Sequence, residues 1–359
     1  GMSCGTAGNP YNTIDSVRLV LPSGTVVDTS LPEADSQLLH DEPMLHAGLL
    51  RLRDTVRGDA KIRAEVERLF AMKNTMGYGV NSFLDHDSPA QMLAHLVVGS
   101  EGTLAFISSA TFRTLPVRPY ASTGLLVLPD LALAAGMLPD LVASGAAAIE
   151  LLDTRSLQVA AREVRAVPAL TEVELVAQAA LLVEYQAESD VELEALVAAA
   201  APLLGGVRPT SDPGTRADLW HVRKGLYATV AGARRPGTTA LLEDIAVPVA
   251  ALADACAALD KVFAAHGYDA HDTVVFGHAK DGNIHFMITE DFGSDAGVVR
   301  YAAFTEDMVD VVLECGGTLK AEHGTGRVMA PYVERQYGAA LYGIMRELKT
   351  LCDPGHILN

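Results

Sequence analysis

The stretch VVFGHAKDGNIHFMI, residues 274–288, limits the fold more than any other part of the chain. Two apolar runs flank Asp281-Gly282, the dipeptide that most favours a two-residue turn between antiparallel strands. That turn predicts Lys280 opposite Asn283, Ala279 opposite Ile284 and His278 opposite His285. Side chains paired this way have Cβ atoms about 4.5–5.5 Å apart on one face, close enough for two imidazoles to share a divalent cation. A longer loop would loosen the register without necessarily separating the rings. A lone histidine is more often a satisfied core or surface residue. Two in register around a forced turn point to a metal.

A second stretch, Gly316-Gly-Thr-Leu-Lys-Ala-Glu-His-Gly-Thr-Gly-Arg327, sets Glu322 beside His323. In an extended chain, neighbours point to opposite sides, so one can ligate a metal while the other faces a substrate. Alone it reads equally as a glycine-rich loop with a solvated pair. Two neutral histidines and one carboxylate, with positions left open, make a catalytic rather than a structural divalent site. In Trp220–Leu226, Arg223 presents a planar fork suited to a carboxylate, or else is a surface cation beside a helix start. Gly99-Ser100-Glu101-Gly102 is a short glycine turn, a weak signal for a cofactor by itself.

Composition narrows the class. The 359 residues carry 27 Lys+Arg against 45 Asp+Glu, a net charge of −18, which opposes nucleic acid or an anionic membrane as main partner. Hydrophobic residues make up 49%, enough for two globular cores. The four cysteines (Cys4, Cys256, Cys315, Cys352) form no CxxC pair, which fits a reducing compartment and excludes a cysteine-built zinc site. No span-length apolar stretch or signal peptide is present, and a cytoplasmic setting is expected.

Residues 16–29 read as a hairpin around Pro22-Ser23-Gly24, and residues 33–73 as a charged, helix-prone surface excursion. Pro116-Val-Arg-Pro119 marks a boundary. Strand–helix units follow. Gly124–Leu128 precedes an Asp130 N-cap, and Leu181–Gln186 precedes a Ser189 cap. The helix after Ser189 has an apolar face of Val191, Leu193, Leu196, Val197, Leu203 and Leu204. Ala240–Val247 precedes a helix from about 249 to Gly267, with Cys256 in its core stripe. Antiparallel sheets with helices on one face, an α+β fold, bury such units economically. The glycine-rich start, Gly1–Gly8, and the abrupt end after Cys352-Asp-Pro look cut. Met2 as an initiator with Gly1 a remnant ahead of it is the alternative.

Taken together, these motifs resemble a known family. The start Gly1-Met-Ser-Cys-Gly5, the hairpin Leu21-Pro-Ser-Gly24 and Val98-Gly-Ser-Glu-Gly-Thr-Leu104 come first. Gly277-His-x-x-Asp-Gly-Asn-x-His285, Glu322-His-Gly-x-Gly326 and Asp353-Pro-x-x-Ile-Leu-Asn359 follow. The chain resembles, from end to end, the FAD-linked 2-hydroxy-acid dehydrogenases and oxidases of D-lactate, glycolate and D-2-hydroxyglutarate, in the vanillyl-alcohol-oxidase superfamily.

The resemblance implies that residues 1–117 are the C-terminal half of a PCMH-type FAD-binding domain, with a helical insertion at about 33–73 and the first half upstream. Residues 118–359 would be an antiparallel-sheet, ferredoxin-like substrate or cap domain, its last 30 or so residues packing back on the flavin half. It further implies that His278, His285 and Glu322 hold a divalent metal (zinc, manganese or iron), that His323 is the catalytic base and that Arg223 holds the substrate carboxylate. Gly1, Met2, Gly5, Gly99, Ser100, Glu101, Gly102, Thr103 and Leu104 would contact FAD, bound weakly if at all by this chain alone. Met287 stands where many D-2-hydroxyglutarate enzymes have Asn, and Leu242-Glu-Asp replaces a segment carrying a substrate-binding Lys. Lys73-Asn-Thr-Met-Gly-Tyr78 is most similar to large members with an iron–sulfur region, which implies an iron–sulfur domain or subunit as electron acceptor. A homodimer and a place peripheral to the inner membrane are further implications.

The expected reaction takes a D-2-hydroxy acid to its 2-oxo acid, with His323 accepting the hydroxyl proton as hydride passes to flavin. Two alternatives stand beside it. One is a metal-dependent hydrolase using His278, His285, Glu322 and a water. The other is a non-catalytic fragment without flavin.

Overall fold

The computed structural model describes residues 5–162, 167–232, 234–269 and 273–359. They form two compact units, one of Thr6–Leu115 with Thr318–Asn359 and one of Pro116–Gly317 with Gly5.

The first unit is built on three antiparallel strands, β1 (Ile14–Val20), β2 (Val26–Asp28) and β3 (Phe106–Phe112), in the order β2-β1-β3. Leu21–Thr25 closes the expected hairpin, with Gly24 at φ 90° donating its N–H to the Leu21 carbonyl at 2.8 Å. Residues 33–73 are not a surface excursion. The helices Ala34–Asp41, Pro43–Gly58 and Ala60–Phe70 supply the core of this unit. Leu45, Leu49, Leu52 and Val56 recur every three or four residues and make one buried face. The charges that gave the segment its exposed look lie on the opposite face. Asp59 caps the third helix by accepting from the Lys61 and Ile62 N–H groups.

The second unit holds a six-stranded sheet of β4 (Tyr120–Leu128), β5 (Ala148–Leu152), β6 (Ala179–Ala187), β7 (Thr239–Ala246), β8 (Thr273–Gly277) and β9 (Asn283–Glu290). Their order is β4-β6-β5-β8-β9-β7, and every pairing is antiparallel. Asp130 and Ser189 cap their helices as expected, through the Leu133 and Glu192 N–H groups. In the helix Asp190–Ala200, Leu193 is buried but Val191, at the free first turn, is 78% exposed. Cys256 is in the core.

Helices cover both faces of this sheet, not one. On one face Leu152, Leu182, Val274, Phe276 and Met287 pack against Leu157, Leu170, Leu219, Val222 and Leu226 from four helices. On the other, Phe286 meets Phe263 and Phe304 edge-on, at centroid distances of 5.4 and 6.0 Å. The reason lies in the strands. β5 and β9 are buried at every position and β6 at all but one, so either face left bare would expose apolar surface.

Candidate functional site

A row of buried ionisable groups runs across the helix-covered face that carries Phe276. Leu152 pairs with Phe276, Phe276 with His285, and His285 with Asp244, so these four share a face. Glu150, two residues before Leu152, belongs to the same face, and its partner across the sheet is His278 at the end of β8. The His278 Nδ1 lies 2.8 and 3.0 Å from the two Glu150 oxygens. The His285 Nδ1 lies 3.2 Å from Asp244 Oδ1. Asn283 donates to the same Asp244 oxygen at 2.8 Å and to the Ile245 carbonyl at 2.9 Å. The two imidazole rings stand edge to face with centroids 5.0 Å apart.

The expected two-residue turn is replaced by a longer one. Ala279–Asp281 makes a single 3₁₀ turn and Gly282 adopts φ 66°, where a Cβ would run into the Val247 carbonyl. The register therefore moves, and His285 faces Phe276 rather than His278. The rings meet all the same, because His278 leaves the strand end towards the face it shares with His285.

Arg223 sits in the last turn of the helix Pro213–Lys224, just before the helix Leu226–Gly232 starts, and it is buried rather than on the surface. Its Nε donates to Glu150 Oε2 at 2.7 Å, and the guanidinium lies 4.6 Å over the Phe276 ring. Glu150 is its sole hydrogen-bond partner among the described residues. The same helix is anchored one and two turns earlier. Arg216 and Trp220 both donate to Glu184 Oε2, at 2.9 and 2.6 Å, and Thr123 donates to that oxygen at 2.7 Å. Burial would push the Glu184 carboxyl up, but these donors together with Gln186 outweigh it and hold it below its ordinary value.

Glu150 and Asp244, both fully buried, are the site residues the motif reading passed over. The available signal was a single acid within an apolar strand, as in Ala148-Ile-Glu-Leu-Leu152. Such a charge is expensive to bury unless a cation or donor meets it. Asp244 meets His285 Nδ1 as a close ionic contact rather than a hydrogen bond, while the Glu150 carboxylate on His278 Nδ1 fixes that imidazole's tautomer with its proton on that side, making Nε2 the lone-pair nitrogen. That is the usual support of a metal-ligating histidine. On this donor chemistry, His278 and His285 fit a divalent cation. Gly5, at φ 53°, belongs to this unit and lies close to Asp281: a Cβ there would be 3.3 Å from its carboxylate. Gly1 and Met2 lie outside the described residues.

The other unit carries Glu322 and His323. Residues 321–323 bend, so the opposite-sides argument for an extended chain does not apply. Glu322 Oε2 is 3.3 Å from the Lys73 Nζ, whose side chain is 4% exposed, and His323 is exposed. The loop that follows is tied down. Gly324 N–H donates to Thr75 Oγ1 at 3.0 Å, Gly77 N–H to Thr325 Oγ1 at 2.8 Å and Gly326 N–H to Glu101 Oε2 at 3.0 Å.

A cavity of about 800 Å³ opens in this unit. Gly99, Ser100, Glu101 and Thr103 line it, with Arg327, Arg346 and Lys349 also on its wall. Gly102 and Leu104 are not among its lining, and Leu104 is fully buried in the core. Gly99, Glu101 and Gly102 have φ of 77°, 54° and 74°, so backbone rather than side chain forms that edge. The volume suits a cofactor-sized ligand, and three cations beside exposed backbone suit one bearing phosphates. These residues fit FAD.

Lys349 ties the cavity wall to the chain end. Its Nζ donates to the Thr103 carbonyl at 2.8 Å and to Asp353 Oδ2 at 2.6 Å, and Asp353 accepts the Ile357 and Leu358 N–H groups. Burial would push Asp353 up. The Lys349 ammonium and the two N–H groups outweigh it and hold the carboxyl at about 2. A depressed carboxyl contributes stability above its unfolded value of about 3.8, lost as pH falls through the folded value. Acid unfolding is therefore expected to show a component between about pH 4 and pH 2. Asp353→Asn should lower stability at neutral pH and flatten that limb. An unchanged acid limb in melts across this range would remove Asp353 from it.

Comparison with known proteins decides the family. The family described as FAD linked oxidases, C-terminal domain, matches residues 118–359. The chain belongs to it. Among curated relatives, the glycolate oxidase subunit GlcD of Bacillus subtilis (strain 168) is 28% identical over 270 residues, covering 74% of this chain and 56% of that protein. D-2-hydroxyglutarate dehydrogenase of Haemophilus influenzae is 25% identical over 374 residues, covering 98% of this chain and 36% of that protein. The chain thus spans roughly half of one relative and a third of the other. The fold matches a 4-ethylphenol oxidase from Gulosibacter chungangensis in its isoeugenol complex, with TM-score 0.60 and 12% identity over 99% of this chain and 66% of that one. An alkyldihydroxyacetonephosphate synthase matches with TM-score 0.59 and 12% identity over 99% of this chain and 56% of that one. The FAD-linked oxidase family read from the motifs is the family found. No helix among the described residues is long and apolar enough to cross a membrane.

Proposed function

We propose that the protein oxidises a D-2-hydroxy acid of the glycolate, D-lactate or D-2-hydroxyglutarate class to the 2-oxo acid. FAD, when bound, would supply the two-electron oxidant, and a divalent cation held by His278 and His285 would supply Lewis acidity towards the substrate oxygens. The observation that carries this reading is the pair of buried histidines whose rings meet, His278 with its Nδ1 hydrogen-bonded to Glu150 and His285 with Asp244 Oδ1 3.2 Å from its Nδ1. The relatives named for glycolate and D-2-hydroxyglutarate support the substrate class.

Arg223 would hold the substrate carboxylate through its Nη groups, with Nε kept on Glu150 so that the fork does not rotate. Phe276 beneath the guanidinium excludes water from one of its faces. His323 would accept the hydroxyl proton, and the bonds from Thr75 and Glu101 to the glycines after it hold its loop in place. Glu101 and the backbone of Gly99 and Ser100 would hold the cofactor edge.

The experiment is a substrate panel on the FAD-reconstituted protein with an artificial electron acceptor. Glycolate, D-lactate and D-2-hydroxyglutarate are offered beside the L-isomers of the two chiral acids. Turnover confined to glycolate and the D-acids is expected. Hydrolytic activity persisting in flavin-free protein, with no acid oxidised, would replace this reading.

A further inference from the structure

Glu150 meets two cationic or proton-bearing groups with different proposed tasks. Its Oε2 accepts from Arg223 Nε at 2.7 Å and lies 3.0 Å from His278 Nδ1, while Oε1 lies 2.8 Å from that same nitrogen. All three side chains are at least nine-tenths buried, and Glu150 is fully so. A carboxylate in such surroundings has no water to compensate it, so what one partner withdraws the other loses.

We infer that Glu150 is a positioning residue coupling anion capture at Arg223 to cation binding at His278. The inference rests on the function proposed above. When a substrate carboxylate engages the Arg223 Nη groups, part of the guanidinium charge is satisfied there. The Glu150 oxygens then bear more strongly on the Nδ1–H of His278, and Nε2 becomes a stronger donor to metal. Linkage makes the effect reciprocal, so a bound cation also favours the carboxylate. His285 has its own acid, Asp244, and lies outside this link.

The test is a double-mutant cycle read by Zn²⁺ affinity, with Zn²⁺ alone as the probe in competition with a fluorescent chelator. Glu150→Gln is expected to weaken Zn²⁺ binding by about 10–100-fold. Arg223→Gln, which leaves the whole carboxylate to His278, is expected to tighten it. In the Glu150→Gln background, Arg223→Gln should then change affinity by less than about twofold. If Glu150→Gln alone folds poorly, the double variant, which leaves no unpaired buried charge, is read against Arg223→Gln: Zn²⁺ binding weaker by about 10–100-fold in the double variant is expected, and equal affinity overturns the coupling. Equal tightening by Arg223→Gln in both backgrounds means direct charge repulsion and overturns the coupling. Zn²⁺ affinity unchanged by Glu150→Gln overturns it too, while leaving the metal reading intact. A wild-type protein that binds no Zn²⁺ overturns the metal reading and the coupling with it.

Discussion

Alanine in place of His323 is expected to lower kcat for 2-hydroxy-acid oxidation by about 10²–10⁴-fold, the usual worth of a positioned proton acceptor. Metal and FAD content should stay near wild type. The side chain is exposed, and the loop after it is held through Gly324 and Gly326 by Thr75 and Glu101, so removing the ring deletes a base without loosening its support. Steady-state kinetics at saturating substrate, with elemental analysis of the same preparation, reads both effects. A raised KM with kcat preserved would mean that His323 binds the substrate and takes no proton from it. Unchanged kcat and KM would remove it from the reaction.

Phe286→Ala should be the most destabilising single change in the six-stranded unit, at about 3–5 kcal/mol. Phe286 is fully buried, pairs with Val275 and Glu243 in neighbouring strands, and packs its ring edge-on against Phe263 and Phe304. Those two rings belong to different helices, so one truncation opens a cavity that neither helix can close alone. A domain is stable by about 5–15 kcal/mol in all, so the loss is a large share of it. Denaturant unfolding measures it through the midpoint. A loss below about 1 kcal/mol would mean that the three rings do not share a packed core. The consequence reaches the site, because His285 is the next residue along the strand and projects to the opposite face.

How much of this was legible beforehand depends on whether the signal was local. Hairpins, caps and helical stripes lie within a few residues of one another, and Asp130, Ser189 and Cys256 fell where their spacing placed them. The pairing of His278 with His285 was legible, its register was not, because the Val247 carbonyl at Gly282 belongs to a distant strand end. Residues 33–73 were misread as surface because their charges lie on one side of helices whose other side is core. Glu150 escaped notice because a lone acid in a strand has no meaning until Arg223 and His278 arrive from elsewhere, and Asp244, within Leu242-Glu-Asp, because only the sheet brings His285 opposite it. Among the residues expected to contact a cofactor, Gly99, Ser100, Glu101 and Thr103 line the cavity, and the apolar Leu104 goes to the core.

Oxidation by a bound flavin can be watched in a single anaerobic mixing experiment. The FAD-reconstituted protein, freed of oxygen, is mixed with D-lactate or D-2-hydroxyglutarate and then, separately, with the L-isomers. Loss of the yellow absorbance with the D-acids alone, together with one equivalent of 2-oxo acid per flavin, is the predicted result. A flavin that stays oxidised with every 2-hydroxy acid, in protein shown to hold both FAD and metal, would contradict the account.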